Sequence, residues 1–146
     1  MPLQLTAPLI KRYILDDIDP TGETYVEVKQ ATQIAVERRA SAMEDREQII
    51  SVGGVEEMRV RAKWNYPEIQ RYEAYLTVVG CNIAGLDGEP LFIFKQSKGQ
   101  TPYLSMNEAA FESAWGALVP DWAESIHRRV RASNPMWGTG EEDENL

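Results

Sequence analysis

Residues 13–28 read Tyr13-Ile14-Leu15-Asp16-Asp17-Ile18-Asp19-Pro20-Thr21-Gly22-Glu23-Thr24-Tyr25-Val26-Glu27-Val28. Aromatic and β-branched residues gather at both ends, where they favour strand. The middle, from Asp16 to Glu23, is dense in residues that turn a chain. The stretch predicts a β-hairpin. In its second strand Tyr25, Glu27 and Lys29 fall on one face and Val26 and Val28 on the other, as in a sheet with one wet side. From Thr32 to about Glu47 the composition changes to Ala, Glu, Arg, Met and Gln without Gly or Pro, which favours helix. The apolar stripe of that helix is thin: Ile34, Ala35, Ala42 and Met43. It is expected to be partly exposed, or to bury its stripe only against a partner.

Beyond this helix the pattern returns to strand. Ile49-Ile50-Ser51-Val52, Gly53-Gly54 and the run from Val55 to Trp64 predict a second hairpin. Met58, Val60, Ala62 and Trp64 alternate there with Arg59, Arg61 and Lys63. Asn65-Tyr66-Pro67 starts a helix, with Pro in the first turn. Ile69, Tyr72, Tyr75, Leu76 and Val79 give it the strongest apolar stripe in the chain, and Gly80 is expected to close it. Gly85 to Pro90 reads as a turn and Leu91-Phe92-Ile93-Phe94 as a short strand. Ser105-Met106-Asn107-Glu108 fits a capping box. The helix it opens carries Met106, Ala110, Phe111, Ala114, Trp115 and Leu118. Pro120-Asp121 opens another, with Trp122, Ala123, Ile126 and Val130 on one face, and Asn134-Pro135 ends it. The fold class is α+β: N-terminal β-hairpins, then a mainly helical C-terminal half, in a single domain over residues 1–137. Residues 138–146 have no apolar side chain before Leu146 and read as a disordered acidic tail.

Composition excludes several classes of function. The chain has 146 residues, 43% of them hydrophobic, enough for a core. No apolar run approaches the ~20 residues that span a bilayer. Met1 to Ile10 has two prolines and neither a basic nor an apolar signal region, so a cytoplasmic location is expected. The net charge of -8 argues against nucleic acid as a partner. Arg128, Arg129 and Arg131 form a short basic patch, expected to be a solvated helix face whose cations suit the helix C-terminus. Cys81 is the only cysteine, so neither an internal disulfide nor a cysteine-based zinc site is expected. Asp17, Asp19, Thr21 and Gly22 mimic the start of a calcium loop, but the twelfth position, which needs a bidentate Glu, is Val28. Phosphate-cradling glycine motifs and a nucleophile elbow are absent from the sequence. His127, the only histidine, lies beside Ile126 on a helix flank, where a partly buried structural role is expected. The sequence therefore points to no catalytic, cofactor or metal site. Trp64, Trp115 and Trp122 sit in patterned segments that suit a core. Trp137 follows Asn134-Pro135-Met136 and is expected to tuck back over the last helix, the other reading being a sticky surface.

Several segments together resemble a family. Tyr25 to Gln33 follows a hairpin turn. Arg71-Tyr72-Glu73-Ala74-Tyr75-Leu76-Thr77 leads to Gly80-Cys81-Asn82-Ile83. Leu104 to Phe111 leads to Ala114-Trp115-Gly116, and Ile126-His127 and Asn134-Pro135-Met136-Trp137 close the domain. In order and texture the ensemble, over most of residues 10–137, resembles the tail assembly chaperones of long-tailed bacteriophages and prophages. The resemblance implies a non-virion protein, not an enzyme. It would coat the tape-measure protein and keep its apolar helices soluble until tail tube protein polymerises round it. Such chaperones often also have a longer frameshifted form, which would diverge near the acidic end. Met106, Phe111, Trp115 and Trp122 are the candidate partner-binding residues, although burial preferences favour the core for the same four. Self-association is left open. Two other readings compete: a structural virion component such as a tail completion or connector subunit, and a small enzyme or ligand-binding protein marked by a deep polar pocket.

Overall fold

The first hairpin forms as the alternation requires. β1 (Ile10–Ile14) pairs antiparallel with β2 (Tyr25–Lys29), Ile10 opposite Lys29 and Ile14 opposite Tyr25. Val26 and Val28 are fully buried, whereas Tyr25, Glu27 and Lys29 are half-buried on the outer face. The calcium-loop mimic is the hairpin's turn. Asp19 accepts hydrogen bonds from the hydroxyls of Thr21 and Thr24, both at 2.6 Å. These bonds, that from Thr21 the larger, hold its carboxyl down at about 2, below the usual 3.8. Gly22 takes a φ of 73° in that turn, which a side chain would resist.

The computed structural model describes residues 2–44, 47–52, 56–61 and 66–138, with side chains over 2–43 and 67–138. α1 is Gln33–Glu44. The second hairpin is β3 (Glu47–Val52) with β4 (Glu56–Arg61), so Glu47 begins a strand rather than ending the helix. The expected alternation from Met58 to Trp64 lies outside the described side chains, and the acidic tail from Thr139 on lies outside the described residues. α2 (Tyr66–Thr77) stops before the expected Gly80. The β-branched Val78 and Val79 carry the chain straight into β5 (Val78–Cys81), which pairs antiparallel with β2 to give a sheet ordered β1-β2-β5. Gly80 is thus no helix cap. It is a strand residue opposite Glu27, and a Cβ built there would lie 2.4 Å from the Glu27 Oε1.

The Gly85–Pro90 turn forms, with Gly88 at a φ of 81° and Ala84 bridged to Pro90. The strand expected over Leu91–Phe94 shrinks to β6 (Phe94–Lys95), paired with β7 (Tyr103–Leu104), because Phe92 turns into the core instead. α3 (Glu108–Gly116) and α4 (Pro120–Ser133) follow, then one 3-10 turn over Pro135–Trp137. The architecture is α+β, as expected. Among the described residues no helix is long and apolar enough to cross a membrane.

The cap of α3 differs from the expected box. Asn107 is the N-cap, and its side-chain oxygen accepts from the Ala110 N–H at 2.8 Å. Asn is as good a cap as Ser, and it stands two residues nearer the first helical turn. We expect Asn107→Ala to cost about 1 kcal/mol in urea unfolding and Ser105→Ala to cost much less; equal losses would restore the serine box.

Candidate functional site

α2 has two inward faces, and the apolar stripe is the less buried of them. Tyr72 and Tyr75 are half-buried against the aromatic part of the core. There Phe111 stands between Tyr75, Phe92 and Trp115, with ring centroids 5.4, 5.3 and 5.8 Å away. The fully enclosed face carries Gln70, Glu73, Ala74 and Thr77, spaced i, i+3, i+4 and i+7. Glu73 is 0% exposed.

A buried carboxylate must be paired. Glu73 Oε1 lies 2.6 Å from the His127 Nε2 and accepts from the Arg131 Nε at 2.6 Å. Its Oε2 accepts from the Arg39 Nε at 2.7 Å and the Arg131 Nη2 at 3.0 Å. His127 and Arg131 sit i and i+4 on α4, so one face presents both, and Arg39 comes from α1. Three helices meet at one side chain. Arg131 also donates to the Trp137 carbonyl oxygen, and the Arg39 guanidinium lies 5.4 Å from the Trp137 ring centroid. Burial pushes the Glu73 carboxyl up. The hydrogen bonds from His127 and Arg131 and the charges of Arg131 and Arg39 outweigh it, and the group lies below its usual range. An ionised carboxylate only accepts, so His127 presents Nε2 as N–H.

α4 is fastened to the first hairpin along its length. Asp17 accepts from the Ser125 hydroxyl at 2.8 Å, from Arg128 at 2.8 Å and from Arg129 at 3.1 Å. Burial raises the Asp17 carboxyl, but the Ser125 hydroxyl and the charge and hydrogen bond of Arg129 hold it below its usual value. Tyr13 and Ser133 hydroxyls meet at 2.7 Å. Asn134, fully buried, accepts from the Ala31 N–H at 2.7 Å and donates to the Lys29 carbonyl at 3.3 Å.

These contacts correct part of the sequence reading. Arg131 is no member of a solvated face: it is 2% exposed, because Glu73 supplies the anion it needs. Arg129 is half-buried, and Arg128 alone of the three is exposed. His127 is structural in its setting but fully enclosed, not partly. Trp137 does tuck back, 6% exposed. Among the candidate partner-binding residues, Phe111 and Trp115 are core at 1% and 8% exposure, Met106 packs half-buried against it, and Trp122 is 37% exposed. Hydrophobic periodicity passes over Glu73 by construction. The available signal was the 70–73–74–77 spacing opposite the 127–131 pair.

Comparison with protein-family models, with curated proteins and with solved structures found no match to the chain.

Replacing Glu73 by Gln leaves two guanidinium groups without a counter-charge in the interior, at a cost of about 3 kcal/mol or more. The folded-state pKa is depressed, so the carboxylate's contribution is present above the ordinary 4.5 and lost as pH falls below it. Urea unfolding of wild type and Glu73→Gln should therefore converge in acid; a gap that widened on acidification would contradict the assignment.

Proposed function

We propose that this chain is a tail assembly chaperone of a long-tailed phage or prophage. It acts in the host cytoplasm by binding the tape-measure protein, assists tail tube assembly, and performs no catalysis. The reading starts from the family resemblance over residues 10–137. One structural observation supports it: α1 turns much of its apolar stripe away from the core. Ala35 is buried, but Ile34 is 58% exposed. Ile34, Ala42 and Tyr72 line a groove of about 450 Å³, with Glu37 and Arg38 also at its walls. A shallow apolar groove with charged walls suits the apolar face of a partner helix. Trp122 offers a second contact, where it shares a depression of about 140 Å³ with Ile18, Ile83 and Ala84.

The test is co-expression with apolar helical segments of a tape-measure protein. The chaperone should keep them soluble and be absent from finished particles. Ile34→Asp changes an exposed side chain, so unfolding should move by no more than about 0.5 kcal/mol; Trp122 is 37% exposed and otherwise covered, so Trp122→Ala should cost more than that in stability and is read by binding to the folded protein. Binding should weaken about tenfold or more at whichever contact the partner uses. Retention of the protein in purified virions would replace the chaperone by a tail completion or connector subunit. Failure to bind tape-measure segments at all would defeat the proposal.

A further inference from the structure

Of the tryptophans whose side chains are described, Trp115 and Trp137 are buried, and Trp122 alone is exposed. It stands in the first turn of α4, outside the core cluster. An indole left partly in water forgoes the burial of a large apolar side chain. Tryptophan is also among the residues that carry most of the binding energy at protein interfaces.

Trp122 and Ile18 together line two adjoining depressions. The first, of about 140 Å³, is completed by Ile83, Ala84, Asp19, Thr24 and Asn82. Ile83 is buried and Ile18 packs half-buried against the core, so this pit is apolar where it meets the interior. Its polar wall is fixed before any ligand arrives. Thr21 and Thr24 donate four hydrogen bonds to the Asp19 carboxylate. Asn82 accepts from the Tyr25 N–H at 2.9 Å and donates to the Glu23 carbonyl at 2.7 Å. The pit has room for one side chain, not for the face of a helix. The second depression, of about 330 Å³, is polar and is completed by Asp17, Asp121, Glu124 and Arg128.

The charge around the indole decides what fits. Arg128 is bound to Asp17 at 2.8 Å, and Arg129 reaches the same carboxylate at 3.1 Å. Among the described residues Asp19, Asp121 and Glu124 have no ion-pair partner. Unmatched negative charge therefore lies on both sides of Trp122, in a chain of net charge -8. Such a rim repels nucleic acid and anionic membranes and attracts lysine and arginine.

We infer that the Trp122 pit binds a short basic segment of a partner protein. One apolar side chain of the segment enters against Ile18, Ile83 and the indole, and flanking lysine or arginine side chains lie over Asp19, Asp121 and Glu124. The inference goes beyond the chaperone reading and does not rest on it. The α1 groove takes an apolar helix face, whereas the pit takes a single anchor and reads positive charge.

The probes are labelled peptides of about ten residues. One set has a single leucine, methionine or phenylalanine flanked by lysines. A second has glutamate for lysine, and a third has serine for the anchor. In fluorescence anisotropy with the full chain the first set should bind, and loss of either the anchor or the positive charge should weaken binding about tenfold or more. Ala84→Lys places a long cation in the pit from an exposed position, so the fold should hold and binding should again fall about tenfold or more. Glu124→Lys should weaken binding chiefly at low salt, and Ile34→Asp should leave it unchanged. In heteronuclear NMR the Trp122 indole N–H and the Ile83 and Ala84 amides should be among the signals that shift. The inference is overturned if no lysine peptide binds, if the glutamate or serine peptides bind as tightly, or if Ala84→Lys changes nothing. Binding of the lysine peptides without binding of tape-measure segments would sink the chaperone reading alone.

Discussion

Three helices of this fold meet on one carboxylate. Glu73 is enclosed, and the anion it carries could not remain there unpaired. Its two oxygens receive Arg39 from α1 and His127 and Arg131 from α4. A buried ion cluster of this kind contributes little net stability relative to a well-packed apolar replacement. What it supplies here is position. Bonds of 2.6 to 3.0 Å have narrow geometric tolerance, so a slide of α4 along α2 by one residue would break both the His127 and the Arg131 contacts. Apolar packing alone, as between Ala74 and the side chains around it, does not discriminate between such registers so sharply.

α4 carries this constraint to the sheet. Its buried Ile126 and Val130 pack into the core, while Ser125, Ser133 and Asn134 reach the hairpin at Asp17, Tyr13 and the Lys29–Ala31 backbone. The helix is therefore fastened to the hairpin turn from Ser125 to Arg129, to the strands at its C-terminal end, and to α2 through His127 and Arg131. Trp137 completes the arrangement, with its carbonyl oxygen on Arg131 and its ring beside Arg39. The tuck of that tryptophan and the burial of the ion cluster are parts of one contact set.

The hairpins and helices are legible in the sequence because turn chemistry and apolar period are local signals. The first hairpin, α1, α4 and the Trp137 tuck follow from such signals. β5 is not legible, since Val78 and Val79 continue the apolar run of α2, and only pairing with β2 makes them strand. The cap of α3 is a choice between two good capping residues two positions apart, which tertiary placement decides. The ion cluster is the least legible part. Glu73 stands in a run of tyrosines whose apolar spacing points to another face, and Arg131 stands in a basic triplet that suits a helix end. Each residue has an adequate solvent-exposed explanation on its own, and the pair becomes visible only when α2 and α4 are side by side.

The same cluster explains how α1 can face outward. A helix held to a core by its apolar stripe must bury that stripe, and a second surface can then reach it only by competing. α1 is held differently. Ala35 and Val36 supply its apolar contact, and Arg39 reaches past them to Glu73. Because a charge-assisted bond anchors the helix, Ile34 can stay exposed without the helix losing its place. Outward apolar surface on a loosely packed element would be a liability, since the element could move to bury it. On an element pinned by Arg39 it remains presented in a fixed orientation, which is the condition a binding groove has to meet before any partner arrives.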